Sequence, residues 1–325
     1  MAEAPPRLIA GFDAGQTHTS CRLAWLEADG HWRAIADGQG SGVSHLAAAG
    51  GEARFTAALA SSLASARQAA LALGALSPST ALAAAAIGAS GIEAGSGVQQ
   101  QGEWLAASTL ELPAAAVQVT GDERTALAGA LGSTAGVLVI SGTGCIAVGQ
   151  NGQGRLHRCG GWGWLLDGAG SAMDIGRDAL ALSVQMADGR LQDTPLRSAL
   201  WQALGVDSPQ ALKALVVQPD FGAAGFARLA PLVDQRAQAG DPQATAVIQR
   251  SAEALAAMVQ AVASQLDLVE PAVCAVGGAA VHLEALRGGF EAALAERCPG
   301  ARWLPPAGDA CAGALNLAAQ APLRC

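Results

Sequence analysis

The chain has 325 residues, long enough for two domains with separate cores. Its residues are 51% apolar and 14% charged, which excludes intrinsic disorder. A net charge of −8 without any basic run argues against nucleic acid or an anionic membrane as a partner.

Residues 7–28 predict a strand, a tight turn and a second strand, "RLIAGF", "DAGQTHT" and "SCRLAWLE". Asp29-Gly30 then marks a hairpin turn, and a third strand follows near "HWRAIADG". Residues 51–74 are alanine-rich with helical spacing, and Gly74 offers a stop. "TALAAAAIGASG" reads as a buried strand running into a turn of small residues, "AAVQVTGD" as another strand, and "ERTALAGALG" as a helix. The opening pattern then returns. "AGVLVISGTGCIAVGQNGQG" is again strand, Gly/Thr turn and strand, with Asn151-Gly152 as the hairpin signal. Asp13 and Ser141 stand 128 residues apart at equivalent places, which points to an internal duplication.

Residues 175–270 predict a mainly helical region with breaks at Pro195, Pro209, Pro219, Pro231 and Pro242; the periodicity is clearest over 244–269. A strand over 272–278 ends in Gly277-Gly278 and leads into a helical segment, and "ACAGALNLAAQA" is a final helix. The longest apolar stretch, "GVLVISGTGCIAVG", is too short to span a bilayer, and "MAEAPPRLIAG" lacks the layout of a secretory signal. Seven cysteines, an odd number with no C-x-x-C pair, argue against a disulfide framework or a zinc site. A cytoplasmic protein is expected.

The only lysine is Lys213, in a helix-like segment away from any glycine turn, so neither a Walker P-loop nor a protein-kinase strand lysine is present. Any phosphate site must use backbone N–H groups, hydroxyls and a metal. "GFDAGQTHT" suits that role: Gly15 lets the backbone approach, Thr17 and Thr19 offer hydroxyls, and Asp13 can hold Mg²⁺ through water. A plain hairpin turn capped by Asp is the alternative. Ser141-Gly142-Thr143-Gly144 repeats the chemistry, and two such turns facing each other across a cleft would hold a triphosphate. Asp122 lies between a strand and a helix, where capping and proton acceptance from an attacking hydroxyl are compatible roles. Gly277-Gly278 allows a flat ring to approach, and Trp162 and Trp164 either wall a sugar or join the core.

The order of these motifs resembles the N-acetylglucosamine and glucosamine kinase branch of the BadF/BadG/BcrA/BcrD ATPase family, within the actin-like sugar kinase and Hsp70 superfamily. The likeness runs from Leu8 to about Ala319, and "GGWG" followed by "GSAMDIGRDAL" is its most specific part. The resemblance implies an α/β fold of two actin-like, ribonuclease H-like domains. Each is a mixed five-stranded sheet flanked by helices, with a cleft between the two. Residues 1–118 would form the first domain and 119–309 the second, with the 310–325 helix able to pack back on the first. ATP and Mg²⁺ are implied as cofactors, an amino sugar as substrate, and a homodimer as the family-level assembly. Carried over by motif, Asp13, Gly15, Gln16 and Thr17 form the first phosphate turn, with Asp13 toward the metal. Ser141 to Gly144 form the second turn, Gly277 and Gly278 contact adenosine, and Asp122 is the base. Ser44, His45, Ser90, Gly91, Gly160, Gly161, Trp162 and Asp167 fall on the sugar side.

The chain departs from this pattern at three places. His18 stands where lysine is usual, and Ser44-His45 where Ser-Asn is usual. Asp167-Gly168-Ala169-Gly170-Ser171 replaces Gly-Asp-Glu-Gly-Ser. Two other readings remain: an ATPase that activates an acyl-CoA dehydratase or reductase, using Cys145 and Cys159 at a shared iron–sulfur cluster, or a non-catalytic nucleotide or sugar sensor.

Overall fold

In the computed structural model, which describes residues 5–321, the duplication seen in the hairpin motif extends to whole sheets. The expectations for residues 1–4 and 322–325, Cys325 included, lie outside the described residues. The chain divides into two units, one made of the residues before Thr134 together with those from Pro306 onward, the other of Thr134–Pro305.

The first unit opens with strands β1 (Arg7–Ala14), β2 (His18–Leu26) and β3 (Trp32–Ser41), an antiparallel meander. Helix α1 (Gly51–Ala72) crosses to β4 (Leu82–Ala89), and α2 (Gly97–Leu110) crosses to β5 (Val117–Gly121); α3 (Asp122–Leu131) follows directly. The sheet order is β3-β2-β1-β4-β5, with β1, β4 and β5 parallel. Side chains alternate along β1 with period two. Leu8, Ala10 and Phe12 join the core that includes Phe55, Leu59 and Leu105 of the crossover helices. Ile9 points to the other face, where the chain's last helix lies. Both faces are covered, as parallel strands require.

The second unit repeats the plan. Strands β6 (Gly136–Ser141), β7 (Cys145–Gln150) and β8 (Leu156–Gly160) form its meander. Six helices follow: α4 (Ala172–Ala187), α5 (Pro195–Leu204), α6 (Pro209–Val216), α7 (Gly222–Ala227), α8 (Ala230–Gln238) and α9 (Pro242–Gln265). Then come β9 (Ala272–Val276), α10 (Gly278–His282), α11 (Glu284–Arg297) and β10 (Arg302–Trp303). The order β10-β9-β6-β7-β8 is that of the first sheet, strand for strand. The prolines of the helical region begin helices more than they break them. Pro195, Pro209, Pro231 and Pro242 each stand in the first turn of a helix, where a missing N–H costs nothing. No helix among the described residues is long and apolar enough to cross a membrane.

Helix α12 (Ala310–Ala319) returns to the first unit, where it packs on α3 and β1. The division of the chain therefore differs from a boundary at 118/119. The β5 strand is hydrogen-bonded to β4 and α3 packs on α12, so residues 119–133 stay with the first unit. The α3–α12 crossing is close enough to require glycine on both helices. A Cβ on Gly313 would lie 1.9 Å from the Thr125 carbonyl oxygen, and one on Gly129 would lie 2.0 Å from that of Asp309. Gly313→Ala sets a helix-propensity gain of about 1 kcal/mol against an overpacking cost of up to roughly 3 kcal/mol. Backbone on the opposing helix cannot yield as a side chain would, so the cost prevails and the denaturation midpoint should fall in equilibrium unfolding.

Candidate active site

In the first unit the parallel strands end together. Ala14 of β1 pairs with Ala89 of β4, and Ala89 with Gly121 of β5. Asp13, Ser90 and Asp122 therefore share the carboxyl edge of the sheet, where α/β folds bind ligands. Gly15–Thr17 form a three-residue turn between β1 and β2, closed by a bond from the Gly15 N–H to the His18 carbonyl at 3.1 Å. The Val43 N–H donates to the Gly15 carbonyl at 2.9 Å, and the Ser90 N–H to that of Ala14 at 3.1 Å. The His45 ring lies against Gly91, with Cδ2 2.8 Å from where a Cβ would stand. Three loops thus converge on one edge: 15–17, 42–45 and 90–91. Gln16 and Thr17 are exposed there, whereas Thr19 is fully buried and unavailable to a ligand, contrary to the reading of its hydroxyl. The Ser44 hydroxyl is buried and lacks a hydrogen-bond partner.

Asp122 does not cap α3. Gly121 is the N-cap, and Asp122 is the first helical residue, its carboxyl hydrogen-bonded to Glu123. Its carboxyl is held above the ordinary range, mainly by burial, although hydrogen bonds involving Glu123 oppose the shift. Asp13 is raised too, first by burial and then by the Asp122 charge. The folded state therefore binds these protons more tightly than the unfolded chain does. Stability from these groups is present at acid pH and is lost as pH rises through their folded pKa values. Asp13→Asn should accordingly raise the Tm of the ligand-free protein at neutral pH. The gain should shrink as pH falls toward the carboxylate range, which a thermal melt series across pH measures.

The second unit presents the corresponding edge. Ser141 pairs with Cys145, and Gly142 to Gly144 form the turn, closed by a 2.9 Å bond from the Gly142 N–H to the Gly144 carbonyl. Gly277 caps α10 at φ 93°, ψ 153°, a conformation open essentially to glycine alone. A Cβ there would lie 2.4 Å from the Ser141 carbonyl oxygen, so the Gly-Gly turn rests directly on the phosphate-type turn. The loop after β8 closes over the same turn. The Ser141 hydroxyl donates to the Gly170 carbonyl at 2.7 Å, and the Cys145 thiol to that of Ala169 at 3.0 Å. Asp167 lies beside Gly160, its Oδ2 3.4 Å from where a Cβ would stand, and Gly161 packs on Ile146. Trp162 is 60% exposed and carries the Arg158 guanidinium 4.5 Å from its ring centroid; Trp164 is 40% exposed. Neither tryptophan belongs to the core.

The named residues thus fall into two sets. Asp13, Gly15 to Thr17, Ser44, His45, Ser90, Gly91 and Asp122 lie in the first unit. Ser141 to Gly144, Gly160 to Trp162, Asp167, Gly277 and Gly278 lie in the second. Burial, with Asp167 adding, pushes the Cys145 thiol up to about 12 and raises Cys159 as well. Sequence reasoning missed the ion-pair cluster behind the second turn, built on Asp174; the Ser171-x-x-Asp174 spacing of a helix start was its signal.

Residues 10–315 match the model of the BadF/BadG/BcrA/BcrD ATPase family. An N-acetylmuramic acid/N-acetylglucosamine kinase of Clostridium acetobutylicum is 29% identical over 202 residues, 62% of this chain and 66% of that protein. An N-acetyl-D-glucosamine kinase of Dictyostelium discoideum is 34% identical over 141 residues, 43% of this chain and 44% of that protein. The matched parts thus span just under two thirds and under half of these relatives' lengths. Among solved structures, a candidate N-acetylglucosamine kinase from Chromobacterium violaceum superimposes with a TM-score of 0.73 at 30% identity, covering 97% of this chain and 99% of that one. With its family match across nearly the whole chain and two sheets of the same strand order, this chain belongs to the BadF/BadG/BcrA/BcrD ATPase family.

Proposed function

We propose that the protein transfers the γ-phosphoryl group of ATP to a hydroxyl of an amino sugar, N-acetylglucosamine or glucosamine. The observation that carries this reading is Asp122, a half-buried carboxyl of raised proton affinity on the same sheet edge as Asp13. Asp122 accepts a hydrogen bond from the sugar hydroxyl and takes its proton as the phosphoryl group arrives. The buried, unpartnered Ser44 hydroxyl is the kind of group that a sugar hydroxyl satisfies. Ser90, Gly91 and His45 line the same edge of the first unit, and Gly160, Gly161, Trp162 and Asp167 are the residues of the second unit assigned to sugar binding.

In each phosphate-type turn the N–H groups that do not close the turn, those of Gln16 and Thr17 and those of Thr143 and Gly144, bind phosphate oxygens, a role that needs no lysine. Gly277 and Gly278 accept the adenosine. Among the described residues no three His, Cys, Asp or Glu side chains gather to hold a metal by themselves. That fits Mg²⁺, which keeps several waters and is held by a carboxylate or two plus substrate phosphates. Asp13, whose charge is penalised by burial and by Asp122, is the residue that a cation would relieve. When bound, Mg²⁺ would neutralise charge on the transferring phosphoryl group. The names of the relatives support the same reading, and the free cysteines among the described residues agree with a cytoplasmic setting.

A coupled ADP-release assay over N-acetylglucosamine, glucosamine, glucose and no sugar tests the proposal. ADP release should depend on at least one amino sugar. Release that ignores the sugar added would refute it.

A further inference from the structure

Behind the second phosphate-type turn lies a set of ion pairs with no part in the contacts described so far. Asp174, on the first turn of α4, is 2% exposed. Its Oδ2 accepts from Arg250 of α9 at 2.8 Å, and its Oδ1 accepts from Arg177 one turn along α4. Arg250 also reaches Asp178, and so does Arg177 at 3.7 Å. A buried carboxylate is costly to desolvate, and two guanidinium partners are what make it tolerable.

The geometry connects this cluster to the turn. The Ser171 hydroxyl caps α4, accepting from the Asp174 N–H at 3.2 Å. The next amides do not serve the helix alone. The Ala172 N–H donates to the Gly142 carbonyl at 2.9 Å and the Met173 N–H to the Thr143 carbonyl at 3.3 Å. With the Ser141 and Cys145 bonds to residues 170 and 169, the whole turn is fastened to the start of α4. Helix α9 braces that start from behind. Gly170, at φ 92°, packs so closely on α9 that a Cβ would lie 2.6 Å from Leu255 Cδ2 and 3.2 Å from the Ser251 carbonyl oxygen. Arg250 is the polar end of the same brace.

We infer that Asp174 is a positioning residue. Through Arg250 it fixes the N-terminus of α4 on α9, and through α4, which holds the Gly142 and Thr143 carbonyls, it sets the direction of the Thr143 and Gly144 N–H groups on the same peptides toward the nucleotide phosphates. This inference rests on the reading of that turn as a phosphate site. An error of a fraction of an ångström in such donors weakens charge-assisted bonds without unfolding the domain.

The test compares wild type, Asp174→Asn and the half-exposed Arg250→Gln and Arg250→Lys for binding of a fluorescent ATP analogue by anisotropy, and for KM of ATP and of the sugar. Asp174→Asn and Arg250→Gln should each weaken nucleotide binding by roughly tenfold, about 1.4 kcal/mol, while the sugar KM stays within about twofold. The double variant should be little worse than either single one, and Arg250→Lys should recover part of the loss. If wild type itself binds no nucleotide, the phosphate-turn reading fails. If wild type binds and the variants that stay folded bind as tightly, this inference alone fails, whatever their Tm. Equal losses in nucleotide and sugar affinity also overturn it, since a loosened domain would produce them.

Discussion

Asp122→Asn should lower kcat by roughly 10²-fold or more while leaving the KM values of ATP and sugar nearly unchanged, the loss that follows removal of a general base. The substitution keeps shape and one acceptor oxygen, so binding survives and proton acceptance does not. Asp122 is the first residue of α3 and its backbone is fixed by β5 and the helix, so the asparagine should occupy the same place. The pH dependence carries a second mark of the same residue. Burial raises the Asp122 carboxyl, so the acid limb of kcat/KM in the wild type should lie above the range of an ordinary carboxylate. Activity is full above that value and falls as pH drops through it, because only the ionised form accepts the proton. In the asparagine variant that limb should vanish from the residual activity. A variant with normal kcat, or with an unchanged acid limb, would remove Asp122 from the role of base.

Gly277→Ala should damage both folding and nucleotide binding. The backbone at φ 93°, ψ 153° is strained for any residue with a Cβ, at a cost of about 1–3 kcal/mol. The new methyl would also stand 2.4 Å from the Ser141 carbonyl oxygen and 2.7 Å from its carbon, so Ser141 must move. Movement of Ser141 shifts the turn beside it. Nucleotide affinity should fall by more than roughly tenfold, with a lower Tm. Gly278→Ala is the control. Gly278 is exposed, with nothing within 4 Å of a Cβ placed on it, so stability should hold while adenosine contact is impaired. Calorimetry for Tm and anisotropy for nucleotide binding separate the two. Equal nucleotide affinity in both variants and the wild type would show that the Gly-Gly turn does not meet the nucleotide.

Much of this architecture was legible in the sequence because the local signals and the tertiary demands agree. The hairpin repeat around Asp13 and Ser141 signalled two equivalent halves, and the structure carries that equivalence through five strands in each. What escaped notice has physical causes. Helix α2 has little amphipathic contrast, yet its start was written in Ser96-x-x-Gln99. The Ser96 hydroxyl accepts from the Gln99 N–H, and Gln99 Oε1 accepts from the Gly95 N–H, one residue further back than in a capping box. Strand β10 is two residues long and exists only because β9 offers it an edge. The boundary at 118/119 erred because α3 follows β5 without a break, and only the packing of α12 on α3 reveals where that helix belongs. Thr19 illustrates a limit of motif reading. Thr17 belongs to the turn and Thr19 to β2, which begins at His18, so the two hydroxyls of "GQTHT" are not presented together: Thr17 is exposed and Thr19 is fully buried in the sheet. Ser171-x-x-Asp174 marked only the start of α4; the pairing of Asp174 with Arg250 was illegible because Arg250 lies 76 residues away, on a helix whose apolar face dominates its pattern.

The most direct test of the account is the identity of the product. Purified protein incubated with MgATP and N-acetylglucosamine or glucosamine, followed by ³¹P NMR and mass spectrometry, should yield a sugar monophosphate in step with ADP, with Asp122→Asn yielding little of either. Inorganic phosphate in place of a sugar phosphate, or ADP formed equally without sugar, would contradict it.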